Sequence, residues 1–234
     1  MKITWLGESG FLLEDDKHAL LIDPYFSDAL GKRRADRHRL LPVKPEWLNR
    51  EYDMVLFTHC HIDHTDPETT NTLLERLPRL LLAGPPSSRE VLGNVPYWVD
   101  VLERTQLTLG RFHIRALPAI HSDRFALGYE ICHEGQTLYF SGDTALLCGL
   151  ADRIPKEPDA AFLCFNAGVG KNMDAADAVH LAKLIRAKRV IPCHYGLLPD
   201  GAKPETFTNL LKENGIAFSL PKYGETFVIE SGGR

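Results

Sequence analysis

The segment Thr58-His59-Cys60-His61-Ile62-Asp63-His64 packs three imidazoles and a carboxylate into six residues, directly after the apolar run Met54-Val55-Leu56-Phe57. His59, His61 and Asp63 stand at every second position, so an extended backbone projects all three to one side. His64 lies where the chain turns toward a helix start at Asp66-Pro67-Glu68. Imidazole binds zinc, iron and manganese, and a carboxylate favours the harder of these ions. Three further candidates sit where other apolar runs end. His121 follows the run 111–117 after Pro118-Ala119-Ile120, Asp143 follows Leu138-Tyr139-Phe140-Ser141 with Gly142 free to turn sharply, and His194 closes Val190-Ile191-Pro192-Cys193. Ligands at strand ends can converge along one edge of a sheet sandwich, where loops open a cleft.

The elements that must carry these residues are readable from pattern. Strands are expected at 2–6, 11–14, 18–22 and 54–57, the last a continuous apolar run buried on both faces. Asp66 as N-cap and Pro67 at the first helical position start a helix to about Arg76. A strand at 79–83 and a short helix at 87–93 follow, then four strands at 106–109, 111–117, 125–132 and 136–141. The last third alternates again: strand 160–165, helix 174–186, strand 189–193, helix 204–214, and strands 216–219 and 226–230. Residues 32–45 read as a basic, proline-containing loop. Grouped strands with interspersed helices predict two mixed sheets covered by helices, as one domain over residues 1–234.

The ordered set H-x-H-x-D-H, a later His, a later Gly-Asp and a final His resembles the metallo-β-lactamase superfamily, from residue 1 to the C-terminus. Within it, Trp5-Leu6-Gly7, Leu21-Ile22-Asp23-Pro24-Tyr25, Asn166-Ala167-Gly168, Met173-Asp174-Ala175-Ala176-Asp177-Ala178 and Ile191-Pro192-Cys193-His194-Tyr195-Gly196 resemble the UlaG-like, L-ascorbate-6-phosphate lactonase branch. The resemblance implies an α+β, four-layer αβ/βα sandwich. It implies two divalent cations (Mn, Zn or Fe), with His59, His61 and His121 on the first, Asp63, His64 and His194 on the second, and Asp143 bridging. A water between two such cations loses a proton at neutral pH and becomes a nucleophile, which Asp63 can orient or relieve of a proton as the catalytic acid–base.

Several residues carry two readings. Asp23 either caps backbone amides after its strand or accepts a hydrogen bond from a ligand histidine. Cys60 and Cys193 neighbour ligands in sequence, but strand alternation turns both toward packing. The basic run 32–39 is either a solvated loop or an arm whose Arg33, Arg34 and Arg37 capture an anionic substrate. Asn166, Lys171 and Tyr195 are candidate substrate contacts. His18, His38, His113, His133 and His180 lack metal-ligating partners and are assigned to surface or packing.

The chain of 234 residues has a net charge of -4, which argues against a general nucleic-acid binder. No apolar run reaches the roughly 20 residues that span a bilayer, and the N-terminus lacks a signal-peptide layout. Five scattered cysteines without a C-x-x-C pair read as reduced thiols. These point to a cytoplasmic protein, and the resemblance implies a hydrolase of a lactone or phosphate-type ester of a small anionic metabolite, with homo-oligomerisation left open. The alternatives are a nucleic-acid-processing phosphodiesterase, which ordinarily has a larger basic surface, and a non-catalytic metal or metabolite sensor.

Overall fold

The computed structural model describes residues 1–167, 172–199 and 201–229. Two mixed sheets face each other across one central core. The first has strand order β13-β1-β2-β3-β4-β5-β6, built from β1 (Lys2–Gly7), β2 (Gly10–Glu14), β3 (Ala19–Ile22), β4 (Met54–Leu56), β5 (Leu81–Gly84), β6 (Trp98–Asp100) and β13 (Thr226–Phe227). The second has order β12-β11-β10-β9-β8-β7, from β7 (Gln106–Leu109), β8 (Phe112–Pro118), β9 (Leu127–His133), β10 (Gln136–Phe140), β11 (Ala160–Cys164) and β12 (Val190–Cys193). In the first sheet β1 to β3 pair antiparallel, while β3 to β6 run parallel. The second mirrors this, with β7 to β10 antiparallel and β10 to β12 parallel.

Side-chain alternation explains the layering. Ile3, Trp5, Phe11, Leu13, Leu20, Ile22, Met54 and Leu56 turn inward to meet Phe112, Ile114, Tyr129, Phe140 and Phe162 of the second sheet. Phe11 packs edge-on to Phe162 at 4.8 Å between centroids, and Phe162 stacks on Phe140 at 4.0 Å. The intervening residues Leu12, Leu21, Val55 and Phe57 turn outward into a second core with Leu73 and Leu77. Those two leucines come from α3 (Pro67–Arg76) and the residue that caps it, and α4 (Pro86–Leu92) lies alongside. On the far side, α5 (Ala175–Leu184) and α6 (Pro204–Glu213) cover β11 and β12. The result is the helix–sheet–sheet–helix sandwich anticipated from the sequence.

The capping signals act as expected. The Asp66 side chain accepts from Glu68 N, with Pro67 in the first turn, and Asp174 accepts from Asp177 N to start α5. Three expectations need correction. The stretch 32–45 is not all loop: α1 (Ala29–Arg33) enters it, a 3-10 turn spans Ala35–Arg37, and α2 (Pro45–Leu48) closes it. Leu30, Leu197 and Leu198 form a small apolar cluster that holds α1 down. The expected strand 216–219 is reduced to a single bridge between Val190 and Phe218, and β6, a three-residue edge strand two residues after Pro96, was not expected. Among the described residues no helix is long and apolar enough to cross a membrane.

Candidate metal centre

At the β4 exit Phe57 N still bonds to Ala83 O of β5. Beyond it the backbone turns back so that His64 N and Thr65 N both donate to His61 O. That tight turn, rather than a continued strand, brings His59, His61, Asp63 and His64 to one point. The second sheet delivers the rest: His121 follows β8, Asp143 follows β10 and His194 follows β12. Gly142 has φ +57, and a Cβ there would lie 2.6 Å from Leu127 O, so glycine is required for Asp143 to swing inward.

All seven residues meet. Their ligand atoms fall into three overlapping groups, His59–His61–His121, His59–His64–Asp143 and Asp63–His64–His194, each within 4.8 Å. His61 Nδ1 and His121 Nε2 are 3.1 Å apart. Asp143 faces both halves, with Oδ1 3.6 Å from His64 Nε2 and Oδ2 at 3.3 Å from His194 Nε2 and 3.9 Å from His121 Nε2. Asp63 Oδ2 lies 3.3 Å from His194 Nε2. His59 Nε2, His64 Nε2 and Asp143 Oδ1 are buried with no hydrogen-bond partner. Orphaned polar atoms carry a cost of about 1–3 kcal/mol each, and here they converge on one another, as a set of donors to a divalent cation does.

Outer hydrogen bonds fix which ring nitrogen faces inward. Asp23, 1% exposed, takes Thr58 N on Oδ1 at 2.8 Å and both Thr58 Oγ1 (2.6 Å) and His64 Nδ1 (2.8 Å) on Oδ2. With its own proton given to Asp23, Thr58 Oγ1 accepts from His59 Nδ1 at 3.0 Å. Asp23 thus performs both of the roles read for it, backbone capping and histidine support. Asp123, absent from the sequence-derived set, accepts from Cys60 N and Ser87 Oγ and ties the His59–His61 loop to α4. Glu8 was also missed: it is 1% exposed, and its Oε2 lies 3.0 Å from His194 Nδ1. Only its position in a Gly-flanked turn marked it in sequence. Glu8, Asp23 and His194 all hold positive φ, at 46°, 42° and 64°, an unfavourable conformation for residues with a Cβ.

Charge divides the cluster. Burial lowers His59 and His61, and brings His121 down to about 4. Burial also works against protonation of His64, yet Asp143 and Asp23 raise it to about 9. His194 rises well above its usual value despite burial, because Asp143, Asp63 and Glu8 surround it. Asp63 and Asp143 are held far below the carboxylate range: burial raises them, but His194 and His64 outweigh it. One half is a neutral imidazole trio and the other a carboxylate-rich pair of basic histidines.

The remaining candidates are placed differently. Cys193 is buried in the central core, and the Cys60 thiol, raised to about 11 by burial and then by Asp123, points toward Asp123. Asn166 is buried, with Oδ1 accepting from Asn172 Nδ2 and its amide nitrogen 2.8 Å from His194 Nδ1, so it supports a histidine. Tyr195 is turned into packing: its hydroxyl donates to Pro221 O at 3.2 Å and its ring stacks on Trp5 at 4.5 Å. Sequence adjacency to His194 gave no information about direction. Arg34 pairs with Asp36 at 2.7 Å, Arg33 and Arg37 lie on the same segment, and Lys171 lies outside the described residues.

Comparison with known proteins agrees with this geometry. The family model described as "Beta-lactamase superfamily domain" matches residues 18–195. The chain is 30% identical to a UPF0173 metal-dependent hydrolase of Symbiobacterium thermophilum, over 98% of this chain and 100% of that one. It is 29% identical to a UPF0173 metal-dependent hydrolase of Oenococcus oeni, over 97% and 99%. Among solved structures, Igni18, a metallo hydrolase from Ignicoccus hospitalis, superposes with TM-score 0.74 over 98% of this chain and 99% of that one, at 24% identity, a likeness of fold.

Proposed function

The chain belongs to the beta-lactamase superfamily and to its UPF0173 metal-dependent hydrolases, and on that premise we propose that it hydrolyses a lactone or phosphate-type ester of a small anionic metabolite with two divalent cations. His59, His61 and His121 would hold one ion, Asp63, His64 and His194 the other, and Asp143, whose Oδ2 lies 3.3 Å from His194 Nε2 and 3.9 Å from His121 Nε2, would contact both. The observation that carries this reading is the convergence of partnerless buried His59 Nε2, His64 Nε2 and Asp143 Oδ1 on one point. Manganese, zinc and iron all suit such a donor set.

Bound there, the cations supply Lewis-acid activation of water and of the substrate oxygen. The chain's own residues do the rest. Thr58 and Asp23 hold the Nδ1 protons of His59 and His64, so that Nε2 of each ring is the nitrogen turned toward the metal. Asp63, buried at 9% exposure, would accept the proton of the attacking water and return it to the leaving group. The α1 helix, which ends at Arg33, rests Ala29 and Leu30 on an apolar cluster that also includes Ile62, the residue between His61 and Asp63. That proximity favours an anionic substrate, with Arg33, Arg34 and Arg37 as its electrostatic guides, and the UlaG-like motifs favour a sugar-phosphate lactone.

The test is to strip the protein of metal, restore manganese or zinc, and assay lactones, p-nitrophenyl phosphodiesters and thioesters. Turnover of a lactone or phosphodiester that vanishes in the stripped protein is the expected result. A fully loaded protein that turns over none of them is instead a metal-dependent binding protein. Asp143→Ala is expected to lose metal and activity together, and retention of both ions in that variant would refute the shared-ligand role.

A further inference from the structure

We infer that Glu8 is a positioning residue that keeps a proton of His194 on Nδ1, so that Nε2 is the nitrogen that yields its proton to the second cation. This rests on the two-cation reading above. His194 Nδ1 has two polar neighbours that ask opposite things of it. Glu8 Oε2, at 3.0 Å, can only accept a hydrogen bond. The Asn166 amide nitrogen, at 2.8 Å, can only donate, because the Asn166 oxygen is already taken by Asn172 Nδ2. A proton on Nδ1 satisfies Glu8; a bare Nδ1 satisfies Asn166 and forces the proton onto Nε2, the nitrogen that faces Asp63 and Asp143.

The balance lies with Glu8. Its side chain is buried, Oε2 has no hydrogen-bond partner, and the imidazole nitrogen 3.0 Å away is the polar group set beside it. A buried carboxylate oxygen left without a donor costs more than an amide N–H in the same state. Glu8 is itself fixed on every side. Oε1 accepts from Leu197 N at 3.1 Å and Leu198 N at 3.0 Å, and the Glu8 carbonyl accepts from His194 N at 2.9 Å and Trp5 Nε1 at 3.0 Å. The side chain therefore cannot turn away from the imidazole, and it bonds the same loop that carries it.

Glu8→Gln isolates the effect. The amide oxygen can keep the two loop N–H bonds, which leaves an NH2 where Oε2 stood. His194 Nδ1 then faces two donors, and its proton moves to Nε2. The probes are zinc titration against a competing chelator and long-range 1H–15N spectra of the histidine rings, which read which nitrogen bears the proton. In the native protein His194 Nδ1 is expected to be protonated, with and without zinc. In Glu8→Gln, Nδ1 loses its proton and zinc affinity at the second site falls by roughly 10- to 100-fold, with the His59–His61–His121 site unchanged. Adding Asn166→Asp to that variant restores an acceptor beside Nδ1 and recovers most of the loss, which a purely structural defect would not allow. A Glu8→Gln protein with Nδ1 still protonated and second-site affinity within about threefold of native overturns the inference. Native protein that takes up no zinc while Glu8→Gln still shifts the proton refutes the two-cation reading and leaves the role of Glu8 standing.

Discussion

Asp23→Asn changes one oxygen to nitrogen at a residue that governs both halves of the cluster. The backbone amide of Thr58 needs an acceptor, so the Asn oxygen stays in the Oδ1 place and its NH2 takes the place of Oδ2. Thr58 Oγ1 and His64 Nδ1 both gave protons to Oδ2 and now both face a donor. His64 must carry its proton on Nε2, which lies 3.6 Å from Asp143. The Thr58 hydroxyl turns its hydrogen toward His59 Nδ1, 3.0 Å away, and pushes that proton inward as well. Each charge-assisted hydrogen bond lost contributes about 1.5–3 kcal/mol. An outer-partner substitution weakens metal binding by roughly 10- to 100-fold per ligand. One disabled ligand in each half gives roughly 100-fold overall at the low end and 10,000-fold at the high end. Competition with a graded series of chelators, read by metal content per chain, measures this. If Asp23→Asn holds both zinc ions within threefold of native affinity, the proton relay from Asp23 through Thr58 to His59 is wrong.

Metal uptake is expected to depend on pH with a definite sign. Asp143 and Asp23 overcome burial to raise His64 to about 9, and His194 is raised further above its usual value. Both groups then bind protons more tightly in the metal-free fold than in the unfolded chain. The His64 contribution is complete below about pH 6.5 and fades as pH rises through about 9, and that of His194 has the same sign. Zinc must displace those protons, so second-site affinity climbs with pH from 6 to 9; calorimetry in buffers of different ionisation enthalpy counts the protons released, and a flat profile would contradict the charge assignment. Tyr195→Phe removes only a hydroxyl bonded to Pro221 O, so about 1 kcal/mol of stability is lost, or roughly 2–4 °C in Tm, with KM unchanged. A KM raised tenfold would return Tyr195 to the substrate site.

The chemistry of the site was legible because its residues obey simple spacing. His59, His61 and Asp63 follow an apolar strand, and Asp143 follows a glycine whose φ of +57 the turn demands. The helix starts at Asp66 and Asp174 were legible for the same reason, being local patterns. What escaped was three-dimensional. Glu8 and Asp123 look like ordinary turn acids until the chain folds and each finds partners far along the sequence. Tyr195 and Asn166 stand beside ligands or motifs, but the direction of a side chain after a strand ends is set by packing against Trp5 and Asn172. The α1 helix hid in a basic stretch because only contacts with Leu197 and Leu198 make its single apolar side worth forming.

His59, His61, Asp63 and His64 hang from the end of a strand in one sheet, and His121, Asp143 and His194 from the ends of three strands in the other. A metal held between them would add to the hydrogen bonds that already join the two layers at this edge, such as His194 N to Glu8 O and Leu127 N to Thr58 O, as a rivet joins two plates. A ligand bound at a thousand times its dissociation constant adds about 4 kcal/mol to the folded state, comparable to a large share of a typical domain's total stability. Metal supply would then set the lifetime of the protein as well as its activity. In a metal-starved cell the empty sandwich would open more often at this edge, and proteases would clear the inactive chains first.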